Sequence, residues 1–136
     1  MIPPEFEGQM KFCKKIVDEL LSRKCRVGFF TKLSLLISPY FQKFAAIFYE
    51  PVDVAGLGLW DYPVVVEKPM DLGTIKEKLN SHTYAHPEEF RSDVLLMCNN
   101  CLLYNPVGDP HHELGQRLLV SFLDLRLFLY HRRIST

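Results

Sequence analysis

Lys68-Pro69-Met70-Asp71-Leu72-Gly73-Thr74-Ile75 is the stretch on which the reading of this chain turns. Pro69 punctuates what comes before it. Asp71 has the short acceptor side chain that satisfies free N–H groups at a helix start. Leu72, Ile75 and Leu79 then recur on one face of a 3.6-residue period. A short helix facing a core is therefore predicted from Asp71 onward.

Upstream, Phe48 to Pro69 reads as one long loop. Pro51, Gly56, Gly58, Pro63 and Pro69 interrupt it, and no helical period survives between them. Its apolar residues (Val52, Leu57, Leu59, Tyr62, Val64, Val65, Val66) imply packing on the body of the protein, and loops this long usually carry function. Before it, Val27 to Phe41 is almost wholly apolar with one charge, Lys32. Its period fits a short helix and a strand equally, and Pro39 ends either. Further back, Phe12, Ile16, Val17, Leu20 and Leu21 form one stripe of a helix from Gln9 to about Lys24.

Downstream, His86-Pro87-Glu88-Glu89 is another helix start, with proline at the first position and acids in the first turn. Phe90, Val94, Met97 and Cys101 continue its apolar face, and Pro106 stops it at Asn105. Asp109-Pro110 opens the last helix. Leu114, Leu118, Phe122, Leu125 and Leu129 mark one side of it, and Leu119, Leu123, Leu127 and Phe128 the other. Such a helix is buried on two sides or meets a partner. The fold class is all-α: four main helices, consistent with a bundle, with a long structured loop between the first and second.

Composition bounds the function. The chain has 136 residues, 48% hydrophobic and 24% charged, the balance of one soluble globular domain. Sixteen basic and sixteen acidic residues cancel, which argues against direct DNA binding. The distribution is uneven: residues 51–110 hold four Lys/Arg against nine Asp/Glu, whereas residues 1–50 hold eight against five. An acidic working face would favour a cationic partner. No apolar run is long enough for a membrane span, and Met1-Ile2-Pro3-Pro4-Glu5 is unlike a signal peptide. Four cysteines without other secretory features suggest reduced thiols in a cytosolic or nuclear compartment.

Three constellations contain reactive residue types. Cys98 and Cys101 with His111 and His112 match the ligand types of a zinc site, yet both cysteines fall within an apolar-periodic helix and read better as core thiols. Cys101, His111 and Asp109 are the types of a thiol hydrolase, but sequence proximity gives neither a base in reach nor an oxyanion site. No phosphate loop, cofactor motif or metalloprotease motif is present, so no cofactor and no enzyme activity are expected. Tyr104-Asn105-Pro106 sets one amide donor beside an apolar loop, the composition of a small-ligand pocket. Asn105 would equally serve as a plain helix cap.

Four segments together resemble a bromodomain, the acetyl-lysine reader of chromatin proteins: Phe48-Tyr49-Glu50-Pro51-Val52-Asp53, Leu57-Gly58-Leu59-Trp60-Asp61-Tyr62, Lys68 to Ile75, and Asn100 to Pro106. Met10-Lys11-Phe12-Cys13 and Pro51-Val52-Asp53-Val54 are most similar to the BET subfamily. The resemblance implies a left-handed four-helix bundle over 9–133, between a leader at 1–8 and a tail at 134–136. It implies that Asn105 donates to the acetyl carbonyl and that Tyr62 reaches the same oxygen through a water. Val52, Leu57 and Leu59 would form the loop's apolar wall, and Phe48 would sit beside the acetyl methyl. Cys101 and Tyr104 would line the pocket from the third helix, with His111 at the gatekeeper position. The implied partners are acetylated histone tails, other acetylated proteins and small acetyl-lysine mimetics, in the nucleus. The alternative is a scaffold that uses the same fold for protein–protein assembly without binding acetyl-lysine.

Two departures from the family stand out. Ala46-Ile47-Phe48 replaces the usual Trp-Pro-Phe, so the shelf beside the pocket loses its aromatic plate. Trp60 does not match that shelf in position. Residues 27–42 form an apolar insertion, either a genuine insert packed on the last helix or a stretch foreign to the natural product.

Overall fold

The computed structural model describes residues 3–21 and 46–134. Among them there are helices and turns but no strands. The four long helices are α1 (Glu7–Leu21), α4 (Leu72–Asn80), α5 (Pro87–Tyr104) and α6 (Pro110–Ile134). Two single-turn helices, α2 (Val54–Leu57) and α3 (Tyr62–Val65), lie in the segment between α1 and α4. α1 packs on α4 and α5, α4 on α5, and α5 on α6. The apolar segment at 27–41, the insertion at 27–42 and the expected end of the first helix near Lys24 all lie outside the described residues.

Most expected starts and stops are met by identifiable capping. At α4, Asp71 Oδ2 accepts from the Thr74 N–H at 3.0 Å, and Oδ1 accepts from the Thr74 hydroxyl at 2.5 Å. At α5, the His86 ring accepts from the Glu88 N–H at 3.0 Å, with Pro87 in the first position. At α6, Asp109 Oδ1 accepts from the His111 N–H at 2.8 Å. The first helix starts earlier than Gln9. A 3₁₀ turn at Pro4–Phe6 runs into α1 at Glu7, and Phe6 is buried in the core with its ring against that of His86, 4.4 Å between centroids. Apolar spacing did not extend that far, because Phe6 joins the core from the 3₁₀ turn and not from the stripe.

The core takes the predicted stripes: Phe12, Ile16 and Val17 of α1, Leu72, Ile75 and Leu79 of α4, Phe90, Val94 and Met97 of α5, and Leu114, Leu118 and Phe122 of α6. Leu119 packs against this core in part, while Val120 and Leu123 on α6 are exposed. A polar tie joins α4 to α5: Asp93 accepts from Lys78 Nζ at 2.9 Å and from the Tyr84 hydroxyl.

Asp71 is only 4% exposed, so its two acceptor contacts are made where water does not compete well. Asp71→Ala is expected to cost about 1–2 kcal/mol, the upper part of the range for a lost cap. Asp71→Asn, which keeps an acceptor oxygen, should cost less. Urea denaturation of the two variants checks this. Equal midpoints for Asp71→Ala and the parent chain would remove the cap from the account.

Candidate functional site

The loop expected at Phe48–Pro69 is more ordered than its sequence suggested. Asp53 Oδ1 accepts from the Gly56 N–H at 2.9 Å and starts α2. Gly58 ends it with φ of +68°, a left-handed geometry that a side chain makes costly. The Leu59 N–H then donates back to Val54 O at 2.9 Å. α3 follows at Tyr62, with Pro63 in its first turn, and Val66 plugs into the interior. The expectation of a segment without helical structure is thus corrected. Each helix is one turn, too short to show an apolar period, and only the Asp53 and Gly58 caps signalled the first of them.

Three polar contacts fix this segment on the bundle. The Gly73 N–H donates to Tyr49 O at 3.1 Å. A Cβ at position 73 would sit 2.8 Å from that same carbonyl oxygen, which explains a glycine inside the first turn of α4. Asn100 Nδ2 donates to Lys68 O at 2.7 Å. The Tyr104 hydroxyl donates to Asp61 Oδ1 at 2.8 Å, and its ring meets that of Tyr62 edge to face at 4.8 Å. The hydrogen bond to Asp61 also raises the Tyr104 pKa.

The loop, the end of α5 and the start of α6 enclose a cavity of about 660 Å³. That volume suits a small organic group. All nine residues named from sequence line it: Phe48, Val52, Leu57, Leu59, Tyr62, Cys101, Tyr104, Asn105 and His111. Ile47, Pro51, Met70 and Met97 add apolar wall, and Glu50, Asp53 and Asp109 add carboxylates. Ile47 thus takes part in the wall from within the altered shelf triplet. Met97 was assigned to the core only, and Met70 to the motif only. Both assignments were legible as apolar helix-face and motif residues, but not as cavity lining.

Asn105 is the cap of α5 and also lines the cavity. Its backbone N–H donates to Cys101 O at 3.1 Å and ends α5, and its side-chain Nδ2 donates to the same oxygen at 3.0 Å. The nearest further acceptor recorded for Nδ2 is Cys101 Sγ at 3.6 Å, a weak one. His112 Nδ1 meets Asn105 O at 2.7 Å, so a side chain of α6 braces the backbone of residue 105.

The cysteines sit as the core reading predicted. Cys98 is fully buried, and burial pushes its thiol up to about 12. Cys101 Sγ donates to His111 O at 3.1 Å, and burial pushes this thiol up to about 11. A thiol held that far from its thiolate is a poor nucleophile at neutral pH. The His111 ring meets Asp109 Oδ1, 2.8 Å from Nδ1. Burial also raises the pKa of Tyr62. Its hydroxyl therefore stays protonated and able to donate at neutral pH.

A helical bundle with a cavity at one end, walled by an ordered inter-helix loop and closed by an amide donor, defines a ligand-binding module. The family model for the bromodomain matches residues 33–117. The chain is 42% identical over 111 residues to the SWR1 complex bromodomain subunit bdf1 of Schizosaccharomyces pombe, covering 82% of this chain and 16% of that one. It is 42% identical over 113 residues to the bromodomain-containing protein bet-1 of Caenorhabditis elegans, covering 83% of this chain and 11% of that one. Among solved structures it is similar to the second bromodomain of Candida albicans Bdf1 bound to an imidazopyridine, with TM-score 0.68, 30% identity, and coverage of 87% and 96% of the two chains. This chain belongs to the bromodomain family and is of BET type.

Proposed function

We propose that the cavity reads acetylated lysine in histone tails, and that Asn105 is its anchor. The observation that carries this reading is the placement of Nδ2. One N–H is spent on Cys101 O, and the second has a weak thiol competitor in a cavity whose lining is largely apolar. An acetyl carbonyl is the stronger acceptor. Tyr62 supplies a second contact through a bridging water, at small entropic cost. Phe48, Val52, Leu57 and Leu59 receive the methyl and the methylenes, with Cys101 and Tyr104 behind them and His111 at the mouth.

Discrimination comes from the state that is refused. A free lysine ammonium must give up its hydration to reach the apolar part of the wall at Phe48, Val52, Leu59 and Met97, at a cost of several kcal/mol that only pairing with a lining carboxylate would offset. The acetylated side chain is neutral, and its carbonyl finds a donor worth about 0.5–1.5 kcal/mol net. Reading requires no chemistry on the ligand. The small contact with one short peptide makes single-site affinity modest, so neighbouring modules would add avidity. Small acetyl-lysine mimetics and other acetylated proteins suit the same cavity, and chromatin places the work in the nucleus.

Calorimetry with an acetylated histone-tail peptide and its unacetylated twin tests the reading. The acetylated peptide is expected to bind and the twin to show no heat of binding. Equal behaviour of the twins, bound or unbound, would leave the fold as a protein–protein scaffold instead.

A further inference from the structure

We propose that Trp60, next in sequence to Asp61, forms a plate for an arginine in the peptide that flanks the acetylated lysine. The proposal rests on the reader function given above. Its starting point is an exposed indole: Trp60 is the chain's single tryptophan and is 73% exposed. The turn that holds it is fixed on both sides. The Leu59 N–H donates to Val54 O at 2.9 Å, the Tyr62 N–H to Leu59 O at 3.0 Å, and the Val64 and Val65 N–H groups to Asp61 O at 3.1 Å. The backbone that carries Trp60 is thus set before a ligand arrives, which lowers the entropy cost of binding there.

The turn is continuous with the cavity. Leu59 and Tyr62, on either side of Trp60 and Asp61, both line it. Asp61 Oδ1 touches the hydroxyl of Tyr104, which is another wall residue. A peptide residue spans at most about 3.6 Å, so the residues flanking an inserted acetyl-lysine leave the cavity within reach of this turn.

Charge selects the occupant. The cavity lining carries Glu50, Asp53 and Asp109 and no lysine or arginine. Asp109 is engaged by the backbone and ring of His111, and Asp53 by the Gly56 N–H. Asp61 is engaged through one oxygen only, among the described residues. A guanidinium is planar, stacks on an indole face and pairs with a carboxylate through its edge, so arginine fits better than lysine. Leu57 and Val64, exposed on the short helices before and after the turn, offer apolar surface for its methylenes.

The test uses the whole chain and a short Gly/Ser peptide centred on acetyl-lysine, with arginine placed at successive flanking positions. Citrulline at the same position is the neutral control, and N-acetyl-lysine methylamide reads the cavity alone. At one or two positions the arginine peptide should bind about 2- to 5-fold tighter than its citrulline twin. Emission from Trp60 should change with that peptide and not with the methylamide. Trp60→Ala should erase the preference for arginine over citrulline and leave binding of N-acetyl-lysine methylamide unchanged, while Trp60→Phe should keep part of that preference. No arginine preference at any position, or one that survives Trp60→Ala, overturns the plate while leaving the cavity reading intact. Failure of the methylamide and of every peptide to bind overturns both.

Discussion

Asn105→Ala is expected to weaken binding of an acetylated peptide by about 5- to 150-fold, the equivalent of about 1–3 kcal/mol. The substitution removes the Nδ2 donor and leaves the acetyl carbonyl in a wall made largely of Phe48, Val52, Leu57, Leu59, Met70 and Met97. A buried acceptor without a partner carries its full desolvation cost, which exceeds the net gain of the bond it lost. Asn105→Asp should be no better, because an ionised carboxylate has acceptors only and faces the carbonyl with like polarity. Folding should suffer less than binding. The Asn105 N–H still donates to Cys101 O, and His112 still meets Asn105 O, since both contacts are made by the backbone of residue 105. Calorimetry beside urea denaturation separates the two effects. Unchanged affinity in a folded Asn105→Ala chain would take the anchor away from this residue.

The parts of the molecule legible from sequence are those set by local chemistry. Asp71, His86-Pro87 and Asp109-Pro110 start helices through side chains two or three residues from the groups they satisfy, so a short window contains the whole cause. The apolar faces of α1, α4 and α5 were readable because each repeats over several turns. The lining of the cavity was legible, through motifs resembling those of a known family, but its bracing was not. Tyr104 and Asp61 are 43 residues apart, and nothing local pairs them. The same holds for Asn100 with Lys68 O, 32 residues away, and for His112 with Asn105 O across the α5–α6 connection. Two one-turn helices were missed because four residues cannot display a 3.6-residue period. Phe6 was missed because it enters the core from a 3₁₀ turn ahead of the apolar stripe.

These long-range ties hold the cavity independently of Ala46-Ile47, the positions where the resemblance implies a Trp-Pro pair. The wall is positioned by Gly73 against Tyr49 O, by Asn100 on Lys68 O and by Tyr104 on Asp61, none of which involves the altered shelf. Ile47 still contributes an aliphatic side chain to the lining.

Phe90→Ala is expected to destabilise the domain by about 3–5 kcal/mol, the range for truncating a buried phenylalanine. Phe90 is 1% exposed, and its ring meets Tyr84 at 6.1 Å and Phe122 of α6 at 5.9 Å, both edge to face. It therefore joins the turn before α5 to the middle of α6, and no neighbour is placed to fill the space its ring would vacate without giving up one of these contacts. Domains of this size hold only about 5–15 kcal/mol in total, so the loss is a large share of the whole. Urea denaturation should show a lower midpoint with an unchanged slope, and Phe90→Leu, which leaves a smaller void, should cost less. Position 90 lies about 22 Å along α5 from Asn105 at a rise of about 1.5 Å per residue. In conditions where the variant is still folded, its affinity for an acetylated peptide should match that of the parent chain. A destabilisation below about 1 kcal/mol would mean that the α5–α6 contact is not closely packed at this layer. Weakened binding in the folded variant would mean that the cavity leans on the far end of the bundle rather than on the local ties that hold its loop.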